Sequence, residues 1–340
     1  MEKRLPTIKE IAKELNISVS TVSRALHNHH SIGLRTKMKV QELARKLNYE
    51  PNQTAIFFKQ GKTFSIGVIL PNLSESFFSS AISGIEDFAN AHKYNVLLGQ
   101  SHDDKEREKQ IVETMKNHRV DGILVSVSKN TTSYEHFESL KNYRIPVVFF
   151  DRIPAMPDIH YVACNLETGI QESVDFLIGE KRHRIALING PDTLLASRER
   201  LQGFRGALKK HKIKLDPRLV SSTDLSLEGT NKAMQQLLSL KPRPTAVIAF
   251  NDYVALDAIQ YAKKANIKIN KDIAFVSFAN LPVCTYMDNP PIASVEQFPY
   301  LQGTKAAEIL LQLLDDHKNS QLQKAGPYKI ILEPKLELHG

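Results

Sequence analysis

Apolar residues in the first fifty positions recur at helical spacing in three short bursts. Ile8, Ile11, Ala12 and Leu15 form one stripe, Val22, Ala25 and Leu26 a second, and Val40, Leu43, Ala44 and Leu47 a third. Each has the three-to-four-residue period of an amphipathic helix. Thr7-x-x-Glu10 reads as a capping box at the start of the first helix. Asn16-Ile17 makes the turn with Ile17 pointing inward, Ser18 caps the second helix, and a third helix is predicted from about Thr36 to Asn48. Three such stripes close a small core of their own.

From residue 63 onward short apolar runs alternate with helical stretches. Strands are predicted at Ser65–Leu70, Asn95–Leu98, Gly122–Val125 and Pro146–Phe150, then at Arg184–Ile188, Val220–Ser222, Ala246–Phe250 and Ile273–Ser277. Helical patterning fills Ser79–Ala91, Arg107–Asn117, Ser197–His211, Leu227–Leu240 and Tyr253–Asn266. Strands alternating with helices imply parallel sheets covered on both faces, and two successive sets imply two doubly wound lobes. The fold class is therefore α/β, an all-α head followed by a two-lobed body. Ligands of such sheets bind beyond the carboxyl ends of the strands, here in the cleft between the lobes.

Charge separates the two parts. Residues 1–62 hold twelve Lys/Arg against five Asp/Glu, while the whole chain of 340 residues is only +8, so nearly all the excess sits in the head. A basic head on a near-neutral body fits phosphate contacts confined to the head. Cys164 and Cys284 are the only cysteines and lie far apart, with no C-x-x-C pair, as expected in a reducing compartment. No signal peptide and no run able to span a bilayer is found, so a soluble cytoplasmic protein with no membrane partner is expected.

The paired first and second helices have the outline of a helix-turn-helix. Val19, Ser20, Thr21, Ser23 and Arg24 face outward. Arg24 can make the bidentate contact to guanine, Val19 can touch a thymine methyl, and Ser20 can donate or accept at a base edge. Ser18, Thr21 and Ser23 suit phosphate, and Thr7 and His27 join the DNA-facing set. A small three-helix interaction module with a Ser/Thr-rich face is the plainer alternative. His27, His29 and His30 match no zinc spacing and read as a solvated turn within reach of phosphate.

Thr7 to Leu26, followed by Leu47-Asn48-Tyr49-Glu50-Pro51-Asn52, resembles the lactose-repressor (LacI/GalR) family of bacterial transcription regulators, and the similarity runs along essentially the whole chain. The resemblance implies a helix-turn-helix domain at 1–50, a hinge helix at 51–62, and a periplasmic-binding-protein-like body at 63–340 that binds an effector and dimerises. It places lobe 1 at about 63–162 plus 294–321 and lobe 2 at about 163–293 plus 322–340, with crossings near Val162, Ser294 and Leu322 and a late helix at about Tyr300–Asp315. In the hinge it implies minor-groove contacts from Asn52, Ala55 and Phe58, with Phe58 standing where the family wedges a leucine into a base step. Phe57 and Phe58 docking on the body is the alternative. The implied partners are a palindromic operator duplex and a second copy of the chain, with no coiled-coil extension for tetramers.

Candidate effector contacts follow the predicted strands, Phe77 and Phe78, Asp151 and Arg152, Asn251 and Asp252, while Arg198 and Arg200 open a helix ahead of Gly203-Phe204. An Asp and an Arg with aromatic walls can hold a polar ring such as a sugar. Singly, Asp252 is as readily a helix cap, Phe78 a core residue and Arg200 a solvated first-turn residue; as a set they suggest a site for a small-molecule effector, a carbohydrate by resemblance, with no cofactor or metal. Ala279 follows Phe278 where the family usually has an acid, and Cys164 stands where Asp is common. Either the effector differs from a simple pentose or hexose, or Asn280 takes over the lost contact. A transport solute-binding protein would share the body but not the basic head. Enzyme motifs such as G-x-S-x-G, H-E-x-x-H and G-x-G-x-x-G are absent from the sequence, and a glycine-rich phosphate loop fails at Ile56, so no enzyme activity is expected.

Overall fold

The computed structural model describes residues 6–50, 62–316 and 326–339. The chain divides into two compact units, 1–63 and 64–340.

In the first unit α1 is Ile8–Glu14, α2 Val19–Leu26 and α3 Leu34–Lys46. The Thr7 N–H donates to the Glu10 carboxylate at 2.9 Å, closing one half of the capping box. Asn16 takes a left-handed backbone with φ 51° in the turn between α1 and α2, a conformation asparagine tolerates because its side chain is short and polar. Ser18 Oγ accepts from the Thr21 N–H at 3.0 Å and so caps α2. The third helix starts two residues before the expected Thr36, because extended Gly33 occupies the cap position. Ile11, Ala12, Val22, Ala25, Val40, Leu43 and Ala44 form the core, with Ile8, Leu15, Ile17, Leu26 and Leu47 packed against it.

The second unit holds two six-stranded sheets. The first contains β1 (Ser65–Leu70), β2 (Asn95–Gln100), β3 (Gly122–Val125), β4 (Val147–Phe150), β5 (His160–Cys164) and β11 (Lys329–Leu332), in the order β11-β5-β4-β3-β1-β2. The second contains β6 (Ile185–Asn189), β7 (Val220–Ser222), β8 (Ala246–Ala249), β9 (Ala274–Phe278), β10 (Ala293–Glu296) and β12 (Lys335–Leu338), ordered β12-β10-β9-β8-β6-β7. All pairings are parallel except β10 with β12. Helices α4 (Ser76–Ala91), α5 (Lys105–Asn117), α6 (Glu135–Glu138) and α11 (Pro299–Asp316) cover the first sheet; α7 (Leu166–Gly179), α8 (Leu195–Lys210), α9 (Leu227–Ser239) and α10 (Asp252–Lys264) cover the second. Each sheet has a buried apolar cluster on both faces, as the continuous apolar runs of parallel strands require.

The chain passes between the sheets three times. Val162 and Ser294, where crossings were expected, lie inside β5 and β10, and the chain leaves each sheet a few residues later, after Cys164 and after Glu296. Residue Leu322 lies outside the described residues. Beyond it β11 still pairs with β5 in the first sheet, so the last crossing falls between Leu332 and Lys335. Residues 329–332 therefore belong with the first sheet rather than with the second lobe. The late helix α11 packs on α4 through two glycines. A Cβ on Gly303 would stand 2.0 Å from the Ala81 carbonyl oxygen, and one on Gly84 2.1 Å from that of Tyr300, so only glycine lets these backbones approach.

Candidate functional site: a recognition helix and an interlobe cleft

In the head, α2 leaves Val19, Ser20 and Arg24 exposed, with Thr21 and Ser23 half-buried at its flanks. Ser18 Oγ lies 2.8 Å from both Ser20 Oγ and Thr21 Oγ1, so three hydroxyls cluster at the start of the helix. Such a cluster at the start of a helix suits an anionic oxygen. At the other end His27 Nδ1 lies 2.8 Å from the Ser23 carbonyl oxygen. Thr7 sits half-buried at the α1 cap. Asn52, Ala55 and Phe58 lie outside the described residues.

In the body, the loops after β1, β4 and β8 converge with the first turns of α4 and α8 on a cleft between the sheets, at their carboxyl ends as topology demands. A cavity of about 50 Å³ there is lined by Phe77, Phe78, Asp151, Arg152, Arg200 and Asn251 among the expected residues, and also by Glu75, Leu166, Phe250, Leu281 and Gln297. It adjoins a larger cavity of about 410 Å³, which shares Asp151, Leu166, Ala196 and Gln297 and extends past Tyr161, Cys164, Glu167 and Glu199.

Arg200 dominates the electrostatics. It is 3% exposed, and its guanidinium carbon lies 4.1 Å from the Phe250 ring centre and 4.5 Å from that of Phe278. Burial pulls its pKa down to about 10, against the pull of Asp151, so it remains a cation at neutral pH. Nε and Nη1 have no hydrogen-bond partner among the described residues. Buried guanidinium donors left unmatched are costly unless something supplies an acceptor. Asp151 follows β4 with φ 58° and accepts from Ser126 Oγ at 3.2 Å. Burial pushes its carboxyl up, opposed by Arg152, Ser126 and Arg200. Burial likewise raises Glu75 and Glu199.

Three expected contacts are placed elsewhere. Asp252 is fully buried and spends its carboxylate on the chain itself: it accepts from Leu281 N–H at 2.6 Å, from Ser294 Oγ at 2.9 Å, and from Ser277 Oγ. It thus ties together the ends of β9 and β10, while Asn251, not Asp252, caps α10. Asn280 does not replace the missing acid, because its amide donates to Glu296 at 3.0 Å and its carbonyl lies 3.1 Å from His339 Nε2; Ala279 lines the cavity instead. Arg198 is exposed and lines neither cavity, since α8 turns it about 200° away from Arg200 at two positions' remove.

The sequence reading missed Asp103 and Lys129. Asp103 Oδ1 accepts from Arg152 Nη1 at 2.6 Å and from Lys129 N–H at 2.8 Å. Lys129 follows β3 and reaches across to the second lobe, where its ammonium donates to the Asp224 carbonyl at 2.6 Å. In return Thr193 Oγ1 donates to the Lys129 carbonyl at 2.6 Å. Only a sheet-end loop pairing across two lobes makes this bridge visible, and no local spacing signals it.

Comparison with known proteins matches this architecture along its length. Residues 7–52 match the bacterial regulatory proteins of the lacI family, and residues 63–330 match the periplasmic binding proteins and sugar binding domain of the LacI family. The chain belongs to the LacI family. LacI-family proteins are DNA-binding transcription regulators under small-molecule control, so this chain is a regulator and not an enzyme. Among its relatives, the HTH-type transcriptional repressor CytR of Escherichia coli strain K12 is 32% identical over 317 residues, 92% of each chain. Catabolite control protein A of Staphylococcus epidermidis is 29% identical over 325 residues, 95% of this chain and 97% of that one. The fold also matches the lac repressor dimer bound to operator and the anti-inducer ONPF, with TM-score 0.82 and 22% identity over 98% of each chain. Among the described residues no helix is long and apolar enough to cross a membrane, and no group of three or more His, Cys, Asp or Glu is arranged to hold a metal ion.

Proposed function

We propose that this LacI-family chain is a homodimeric repressor that places α2 of each head in a major groove of a palindromic operator and is controlled by a polar, ring-shaped effector, a sugar or related metabolite, in the interlobe cleft. Ser20 and Arg24 read base edges with Val19 against a thymine methyl, while Thr7, Ser18, Thr21, Ser23 and His27 hold phosphates. Asn52, Ala55 and Phe58 of segment 51–62 are the proposed minor-groove contacts. Asp151, Arg152, Arg200 and Asn251 hydrogen-bond the effector between Phe77, Phe78 and Phe250. The protein acts in the bacterial cytoplasm, at the nucleoid.

Dimerisation is supported by β2, an edge strand of the first sheet with Leu97 40% and Leu98 44% exposed; an open edge carrying apolar side chains calls for a partner. A twofold dimer presents two identical heads, and so favours two inverted half-sites. The observation that carries the effector reading is the pair of unmatched donors on Arg200. A ligand acceptor supplies what the protein does not, and its binding draws the lobes together across the Lys129 bridge.

The test begins with selection of bound duplexes from fragmented bacterial DNA, followed by footprinting. A protected site with two inverted half-sites is expected. Sugars and metabolites that co-purify with the protein are then added to the complex. Release or tightening that disappears in Arg200→Ala supports the reading, and an unchanged response in that variant defeats it.

A further inference from the structure

The turn that follows α2 holds three exposed imidazoles, His27, His29 and His30, more than a simple connection between two helices requires. The turn is rigidly held. Asn28 takes a left-handed backbone with φ 54°, and α3 grips it from both sides: Lys37 Nζ donates to its carbonyl at 3.0 Å and Gln41 Nε2 to its side-chain oxygen at 3.1 Å. The His29 N–H donates to the Arg24 carbonyl at 2.9 Å. His29 and His30 stack with ring centres 4.3 Å apart. Their orientation is thus set by α2 and α3 before any partner arrives.

The protonation state of His29 is written in its contacts. Nδ1 accepts from the Ser31 N–H at 3.2 Å and lies 2.8 Å from Ser31 Oγ. An acceptor Nδ1 puts the proton of the neutral ring on Nε2. On acidification Nδ1 gains a proton, and the Ser31 hydroxyl can turn to accept from it. The groups acting on His29 from every neighbouring element are themselves cations or imidazoles: His30 beside it, Arg24 on α2 and Lys37 on α3. Slight desolvation of the ring in the turn comes first, and all of these groups add to it in lowering its pKa. No carboxylate is among the groups that act on His29.

An external anion compensates the charge that protonation adds. α2 has eight residues and is therefore about 12 Å long, close to the roughly 12 Å width of the major groove it is proposed to enter. Residues just past its end emerge at the groove wall, where the phosphates stand. We propose that His29 and His30 form a proton-gated phosphate clamp at the trailing end of the recognition helix, neutral and weak at alkaline pH and doubly charged on DNA in mild acid. The clamp rests on α2 entering the groove. Its chemistry is proton uptake linked to duplex binding: phosphate favours the imidazolium form of His29 that Arg24 and Lys37 disfavour in the free head.

The full-length protein is titrated with a fluorescently labelled duplex of mixed sequence over a series of salt concentrations, at about pH 8 and about pH 5.5, on either side of the ordinary histidine pKa. Binding at the higher pH tests the grip of the head itself. The change between the two tests the clamp. In the wild type the log–log salt slope should steepen by about 1 to 2 on acidification, one phosphate per added charge. In His29→Gln/His30→Gln the steepening should shrink by that amount, while the slope at the higher pH stays unchanged. His29→Lys/His30→Lys should show the steep slope at both pH values. A Gln variant that follows the wild type at both pH values overturns the proposal, as does a Lys variant that binds like the Gln variant. All titrations are repeated with EDTA; loss of the acid-dependent component on chelation reassigns the pair to a metal ion and equally overturns it. Circular dichroism of each variant checks that the helices are retained.

Discussion

Asp103 accepts a 2.6 Å hydrogen bond from Arg152 and, through the same oxygen, a 2.8 Å bond from the backbone of Lys129. One side chain thereby joins a wall of the cleft to the loop that bridges the lobes. Arg152 itself stands 5.7 Å from the Phe78 ring centre, so a ligand that moves the guanidinium also moves Asp103. Asp103→Ala should cost only about 1 kcal/mol of stability, as expected for a partly exposed charged hydrogen bond. It should nevertheless widen the distribution of interlobe distances, read by pairs of spin labels placed on exposed positions of the two lobes. Thr193→Val, which removes only the return bond to Lys129, should produce a smaller change of the same sign. Unaltered distances in both variants would leave the bridge without a role in closure.

The buried guanidinium of Arg200 sets function against stability. A desolvated cation whose Nε and Nη1 find no acceptor among the described residues is a poor stabiliser compared with an apolar side chain of similar length. Arg200→Met should therefore raise the stability of the ligand-free protein by about 1 kcal/mol, measured by chemical denaturation, while removing its response to metabolites. Arg200→Lys keeps the charge but not the planar donor pair and should also lose the response. A destabilised Met variant would mean that the stacking between Phe250 and Phe278 outweighs the unmatched donors.

How much of this was legible beforehand depended on whether the signal was local. The head was readable almost residue by residue, because caps and stripes act within one or two turns: Ser18 caps α2 and Ile11, Val22 and Val40 meet in the core as their spacing requires. The central strands were readable as continuous apolar runs, with β1 at Ser65–Leu70 and β3 at Gly122–Val125 falling where expected. The strands β5, β10, β11 and β12 were not among those expected from patterning. They lie beside the crossings, and β11 shows only exposed and half-buried positions at a sheet edge, so no strong burial pattern marks it. In the cleft, Asp151 was found because residues after strands point into it, and Arg200 because it opens a helix that faces it. Asp252 obeyed the same rule yet turned inward, because Ser277 and Ser294, distant in sequence, supply its hydrogen bonds. Long-range partners decide such cases, and local spacing carries no trace of them.

Glu108 gives the body a dependence on acid. It is fully buried on α5 and accepts from the Ser128 N–H at 2.7 Å and Thr131 Oγ1 at 2.8 Å, with His136 Nε2 at 3.0 Å. Burial pushes its carboxyl up, but the hydrogen bonds from His136, Ser128 and Thr131 outweigh this, and its pKa ends below the ordinary glutamate value. A carboxyl with a lowered folded pKa adds stability above the unfolded value, about pH 4.3, and that stability is lost as pH falls through the folded pKa. Because Ser128 and Thr131 flank Lys129, the loop that bridges the lobes should loosen in the same range. Glu108→Gln should cost about 2–3 kcal/mol at neutral pH and flatten the stability profile below about pH 5. Denaturant midpoints across the acid range measure both; a variant that keeps the wild-type profile would exclude Glu108 as its source.

At the DNA end, two substitutions on one helix separate structure from reading. Ser18 Oγ caps α2 by accepting from the Thr21 N–H at 3.0 Å, so Ser18→Ala should lower head stability by about 1 kcal/mol and weaken binding to all duplexes alike. Arg24 is exposed on the last turn of the same helix, where truncation opens no core. Arg24→Ala should leave stability within about 0.5 kcal/mol of wild type and instead cost about 1–3 kcal/mol of binding at one base pair per half-site. Sequencing the duplexes bound by each variant discriminates the two. The Ser18 variant should select the wild-type operator at lower yield, and the Arg24 variant should lose its preference at a single position in each half. If Arg24→Ala instead weakens every sequence equally, the arginine holds phosphate and the base readout falls to Val19 and Ser20.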